Sequence, residues 1–194
     1  MTAPLRILLI SGSARRDSFN TRLLDLAAAR LREAGAEPQR LDLGALALPI
    51  YDGDLEAAQG QPAGAQALVD ALAAADALLI ASPEYNAFPT PLLINALDWA
   101  SRRPGFKAAV QGKPVTMVSA SPGALGGLRG LLVLRNFLAV NLGFLVLPSQ
   151  FALGGAGKAF DAAGGLAEAA RLEALDAVLA ELRSTAAALR APAA

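Results

Sequence analysis

Hydroxyls, guanidinium groups and an amide gather in one short stretch of this 194-residue chain, Gly12-Ser13-Ala14-Arg15-Arg16-Asp17-Ser18-Phe19-Asn20. An apolar run, Leu5–Ser11, leads into it, and a helical pattern beginning near Thr21 leads out. A strand-loop-helix junction of this kind turns backbone N–H groups and the positive end of a helix toward one small space, which suits a phosphate. Gly12 permits a tight turn; Ser13, Ser18 and Asn20 offer short donors; Arg15 or Arg16 adds a planar fork that grips phosphate oxygens in pairs. The stretch lacks the Gly-Lys-Ser/Thr ending of the ATP- and GTP-binding loop and the three spaced glycines of the dinucleotide fingerprint. Its chemistry fits a single phosphate, and therefore a mononucleotide.

Two more segments follow apolar runs of strand type. Ser82-Pro83-Glu84-Tyr85-Asn86-Ala87-Phe88-Pro89 offers an aromatic wall, an amide and a carboxylate between two prolines that fix its shape, which suits a flat heteroaromatic ring. Ser119-Ala120-Ser121-Pro122-Gly123-Ala124-Leu125-Gly126-Gly127 is glycine-rich, so its backbone can approach a ligand closely. A phosphate loop, a ring loop and a glycine loop around one crevice describe a pocket for flavin mononucleotide (FMN).

The elements that must position these loops alternate in type along the chain. Strands are predicted at Leu5–Ser11, Pro38–Leu43, Asp76–Ser82, Pro114–Ser121 and Phe144–Pro148, and helices at Thr21–Ala34, Ala65–Ala75, Leu92–Ser101, Leu128–Leu142 and Leu166–Leu189. Residues 47–54 read as an irregular loop. Continuous apolar strands separated by helices predict a parallel sheet covered on both faces by right-handed crossovers. Five such strands fit a flavodoxin-like α/β sandwich in the order 2-1-3-4-5, whose ligands sit beyond the carboxyl ends of the strands. One domain over residues 1–190 is expected, with a frayed tail at 191–194.

Composition narrows the chemistry. The chain contains neither Cys nor His, which excludes thiol nucleophiles, Ser-His-Asp triads, disulfides and the usual zinc and iron–sulfur ligands. Proton or electron transfer must then use carboxylates, hydroxyls, arginines or a cofactor. Seventeen basic and seventeen acidic residues cancel, which argues against a nucleic-acid partner. No apolar run approaches the ~20 residues of a membrane span, and no signal pattern opens the chain, so a cytoplasmic protein is expected.

The sequence resembles the NAD(P)H-dependent FMN reductases, a family that includes quinone, azo-dye and chromate reductases. The resemblance rests on Gly12-Ser13-x-Arg15-x-x-Ser18-x-Asn20, then on Pro83-Glu84-Tyr85-Asn86, Asn95-Ala96-Leu97-Asp98-Trp99, Gly112-Lys113-Pro114-Val115 and Ser119-Ala120-Ser121-Pro122-Gly123 with Gly126-Gly127. It implies that Ser13, Arg15, Ser18 and Asn20 hold the FMN phosphate, with Phe19 also among the cofactor-binding residues. Pro83, Glu84, Tyr85 and Asn86 would line the isoalloxazine ring, mainly through backbone groups, and Ser121 and Gly123 would close its other side. NADPH or NADH would pass hydride to the flavin, and a quinone or another small acceptor would then receive the electrons in a ping-pong cycle. A homodimer or homotetramer is the implied assembly. Phe88 and Ile94 depart from the family pattern beside the substrate face.

Other readings compete at several of these positions. Asn20 could instead cap the following helix. Glu84 and Tyr85 are candidate substrate-site residues, but Glu84 could equally cap a turn and Tyr85 could simply pack. Trp99 is expected in the core, and Tyr51-Asp52-Gly53-Asp54 reads as a solvated turn rather than a metal site. Arg102, Arg103 and Arg129 are either surface charges or contacts to the dinucleotide's phosphates. Two alternative functions also remain: a reductase that releases reduced FMN to a partner, and a flavodoxin-like electron carrier or flavin-binding protein without NAD(P)H turnover.

Overall fold

Apolar side chains on both faces of a strand require cover on both sides, and the runs Ile7-Leu8-Leu9-Ile10 and Leu78-Leu79-Ile80 receive it. In a computed structural model that describes residues 3–190, strands β1 (Arg6–Ser11), β2 (Glu37–Leu41), β3 (Ala77–Ala81) and β6 (Pro114–Ala120) form a parallel sheet in the order β2-β1-β3-β6. Along β1, odd residues such as Ile7 and Leu9 join a core with Leu23, Leu24 and Leu31 of helix α1 (Phe19–Glu33) and Leu175 and Leu182 of α8 (Ala169–Leu189). Even residues such as Leu8 and Ile10 join a second core with α3 (Ala63–Ala74), α4 (Pro91–Ser101), α5 (Phe106–Val110) and α6 (Leu128–Asn136). The period-two alternation of the strand thus distributes one apolar sequence between two cores.

The architecture is the flavodoxin-like one expected, with one correction at the edge. The fifth strand is broken. β7 (Leu145–Val146) pairs with the start of β6 through Pro114↔Leu145, and β8 (Phe151–Leu153) pairs with its end through Val118↔Phe151. Pro148 has no N–H to continue a ladder, so the chain leaves the sheet there and returns three residues later. Arg135 fills the gap by donating to the carbonyls of Leu147 (2.7 Å) and Pro148 (3.0 Å).

Four short elements lie where only loops were expected. They are α2 (Gly53–Gln59), α5, α7 (Ala156–Ala159) and the hairpin β4 (Glu84–Tyr85) with β5 (Phe88–Pro89). Asp52 starts α2 by accepting from the N–H of Asp54 and Leu55, so the expected solvated turn is a helix cap. The helix expected through Leu142 changes pitch at Phe137: Phe137–Leu142 is a π-helical turn that ends at Gly143, whose φ is +85°. At the amino edge of the sheet, Arg190 donates to the carbonyls of Ala3 (2.5 Å) and Pro4 (3.2 Å) and pairs with Asp76 at 3.2 Å. The tail expected to fray, 191–194, lies outside the described residues.

Candidate functional site

β1, β3 and β6 end side by side, which brings the three loops of interest to one edge of the sheet. The first loop is pinned from three directions. Gly12 N–H donates to the Ala81 carbonyl (2.8 Å), and Thr90 Oγ1 donates to the Gly12 carbonyl (2.6 Å). A Cβ on Gly12 would stand 3.0 Å from that same hydroxyl, a tight contact that glycine avoids. Asn20 is buried; its side-chain amide donates to the Ala120 carbonyl (2.8 Å) and its Oδ1 accepts from the Ala120 N–H (3.0 Å). The amide therefore ties the loop to β6 and does not cap α1. Ser18 is the cap, accepting from the Thr21 N–H.

The start of α1 gathers donors that suit an anion. Among the described residues no group accepts from the N–H of Phe19 or Asn20, the first two positions of a fifteen-residue helix. The hydroxyls of Ser13 and Ser18 accept from backbone N–H groups (Arg15 and Thr21), so each keeps its own proton to donate. Arg15 is exposed beside them, bound only weakly to the Asp17 carbonyl at 3.5 Å.

The ring loop is a tight hairpin. Asn86 and Ala87 occupy its two central positions with φ of +53° and +63°, the left-handed pair that a two-residue turn of this hand requires. The turn lifts Tyr85 (49% exposed) and Phe88 (51% exposed) out of the protein. Glu84 points the other way. Its side chain is only 9% exposed and accepts from Arg129 Nε (3.0 Å) and Nη2 (2.5 Å) and from the Gly130 N–H (3.0 Å). Helix α6 has Gly127 at its N-cap and hence no capping side chain of its own, so Glu84 caps it from another element. Burial alone would push the Glu84 carboxyl up, but the Gly130 N–H and the Arg129 guanidinium outweigh it and hold the group below the usual carboxylate range. A carboxylate fixed in this way holds the ring loop against α6.

The glycine loop depends on β8. Ser121 N–H donates to the Leu153 carbonyl (3.1 Å), and Gly155 N–H donates to the Gly123 carbonyl (3.2 Å). Gly126, at φ +63°, lies against the backbone of Ala152–Gly154, where a Cβ would come within 2.6 Å of the Leu153 carbonyl carbon. Ser121 Oγ accepts from the Gly123 N–H at 3.2 Å.

The loops enclose a cleft of about 140 Å³. Ser13, Arg15, Ser18, Phe19, Asn20, Pro83, Glu84, Tyr85 and Ser121 line it, together with Ala120 and Pro122, which the sequence did not single out for the site. Asn86 and Gly123 are not on its wall; they shape the turns behind it. The other candidate cations are engaged elsewhere: Arg129 with Glu84, Arg102 with Glu56, and Arg103 with Gln61 and Gln66. Trp99 is fully buried and donates to the Pro49 carbonyl at 2.7 Å. Among the described residues no cluster of carboxylates could hold a metal, and no helix is long and apolar enough to cross a membrane. Two further participants had no local sequence signature of their own. Thr90 lies 78 residues from the carbonyl it holds, and Gly130 accommodates Glu84, whose Cβ would meet a Cβ there at 3.2 Å.

The strand order, with its loops gathered at the carboxyl edge, defines a flavodoxin-like α/β protein. Solved structures share that fold: the flavoenzyme NAD(P)H:(acceptor) oxidoreductase FerB from Paracoccus denitrificans superposes with a TM-score of 0.81 at 25% identity, over 95% of this chain and 98% of that one. Residues 5–158 match the family described as NADPH-dependent FMN reductase, and the chain belongs to that family. Among its relatives are a quinone reductase of Escherichia coli (strain K12), 36% identical over 80% of each chain, and an NADPH:quinone oxidoreductase of Arabidopsis thaliana, 35% identical over 93% of this chain and 91% of its own. The chain is thus an oxidoreductase of the FMN-reductase type, with FMN and NAD(P)H as its cofactors.

Proposed function

We propose that this protein oxidises NADPH or NADH and reduces a quinone-like small molecule, using one cleft for both half-reactions. Bound FMN supplies the group that takes hydride and then gives up electrons. The observation that carries the reading is that Phe19 and Asn20, whose N–H groups have no acceptor among the described residues, line one cleft with Ser13, Arg15, Ser18, Tyr85 and Ser121. The two amides, the Ser13 and Ser18 hydroxyls and the Arg15 guanidinium hold the phosphate. Pro83 and Tyr85 flank one side of the ring, set by the Asn86 turn behind them, while Ser121, positioned by its bond from the Gly123 N–H, closes the other. The exposed edge beside Tyr85 and Phe88 admits donor and acceptor in turn, which gives ping-pong kinetics. Glu84 holds the ring loop against α6 and transfers no proton.

Exposed apolar side chains, among them Val140 (75% exposed) and Ile50 (86% exposed), support self-association as a homodimer or homotetramer. A cytoplasmic setting, where reduced nicotinamide cofactors are made, fits this reading. The test is spectroscopic. FMN added to the purified protein is expected to give a bound flavin band that NADPH bleaches anaerobically and a benzoquinone restores. A bound band that neither NADPH nor NADH bleaches would overturn the reductase reading in favour of an electron carrier.

A further inference from the structure

A second and larger cleft lies on the far side of the phosphate loop, at the carboxyl end of β2, and the reading above gives it no role. It measures about 540 Å³, against about 140 Å³ for the ring cleft, and shares only Ser13 and Arg15 with it. Its walls carry Arg15 and Arg16 from the loop and Arg40 from β2, with a single carboxylate, Asp42. Three guanidinium groups face one lining carboxylate, and Asp25 pairs with Arg40 from outside the lining, so the cleft keeps a modest excess of positive charge.

The arginines are not consumed by partners. Among the described residues Arg16 makes no ion pair, and Arg40 commits Nη1 to Asp25 while the rest of its fork stays free. One oxygen of Asp42 accepts from the Gly44 N–H (2.9 Å), which holds that carboxylate at the bend after β2. The Ser11 and Thr21 hydroxyls, 3.1 Å apart, line the cleft as well, and Ala14 and Leu41 give it an apolar side. Free guanidinium forks, hydroxyls and an apolar wall in a space this size suit a phosphate attached to a flat base.

We propose that this cleft binds the phosphate-bearing adenosine end of a nucleotide, through Arg16 and Arg40. The inference rests on the proposed function, which brings such a group to this edge of the sheet. Two nucleotides carry it. NADPH bears a 2′-phosphate on its adenosine, and a flavin extended by adenylate would lead its second phosphate away from the Ser13–Asn20 loop. An arginine fork binds the 2′-phosphate of NADPH, whereas NADH offers only a hydroxyl there.

Calorimetry tests the site directly, with adenosine 2′,5′-bisphosphate and 5′-AMP titrated into FMN-saturated protein. The bisphosphate is expected to bind more tightly than 5′-AMP, and the double variant R16Q/R40Q to weaken it about tenfold while FMN affinity stays unchanged. In the same variant a rise in KM for NADPH, with KM for NADH constant, assigns the site to the nicotinamide nucleotide. Weakened FAD binding to flavin-free protein, with KM for NADPH unchanged, assigns it to an extended flavin. Unchanged affinity for both probes in the double variant overturns the proposal, even if FMN binds and NADPH reduces it. Loss of FMN binding by the unaltered protein would instead sink the functional reading, while bisphosphate titration still scores the cleft.

Discussion

Glu84 shows how one side chain can organise a site without reacting in it. Its carboxylate meets two donors from Arg129 and one from Gly130, so truncation leaves a helix terminus uncapped and a cation unpaired. Glu84→Ala is expected to cost about 1–3 kcal/mol of stability and to weaken FMN binding, measured by melting and by flavin fluorescence titration. Glu84→Gln keeps an acceptor for the Gly130 N–H and should fall between the two. Because this carboxyl is held below its unfolded value, its contribution is complete at neutral pH and fades as the pH falls through the folded value. Asp98 has the opposite sign. Burial pushes its carboxyl up, so the ionised form opposes folding at neutral pH and that penalty disappears in acid. Asp98→Asn should therefore raise the melting temperature at pH 7, with the gain vanishing at acid pH where Asp98 is already protonated.

At the scale of elements, the hairpin β4–β5 concentrates the backbone strain. Asn tolerates the left-handed region, but Ala87 at φ +63° does so at a cost. Ala87→Gly is expected to stabilise by about 0.5–1 kcal/mol, or ~1–4 °C in melting temperature, with FMN affinity retained if the turn geometry alone positions Tyr85. The hairpin also marks where sequence reading reached its limit. Long periodic elements such as α1 and α8, and unbroken apolar strands such as β3, were legible because one face or both must be buried. Strands of two or three residues and single-turn helices have no period to detect, so β4, β5, β8, α5 and α7 escaped notice, whereas β7 falls inside the strand expected at Phe144–Pro148. The phosphate loop was legible because its donors are adjacent in sequence. The role of Asn20 was not, since its amide is satisfied by Ala120, a hundred residues away, rather than by its own helix.

Across the whole molecule, the sheet separates two tasks. The carboxyl edges of β1, β3 and β6 carry the cleft and its loops, while the amino edge carries Arg190, which bonds the backbone of Ala3 and Pro4 and pairs with Asp76. The two cores lie on opposite sides of the sheet: Leu79 and Leu182 are buried on one and Leu78 and Leu134 on the other, with Phe19 of the phosphate loop packed against the first. Changes in substrate preference can therefore accumulate at Phe88, Arg16 or Arg40 with little effect on stability, because all three are solvent-facing.

The handshake between Arg190 and the first residues of β1's approach has an engineering consequence. Residues 3–4 and Arg190, which meet on the face remote from the cleft, can be joined by a short linker, and the backbone can be reopened at Gly60, between α2 and α3, without cutting any strand. Such a circular permutant should bind FMN with unaltered affinity, and its failure to fold would reveal that the order of synthesis matters to a sheet whose central strand comes first.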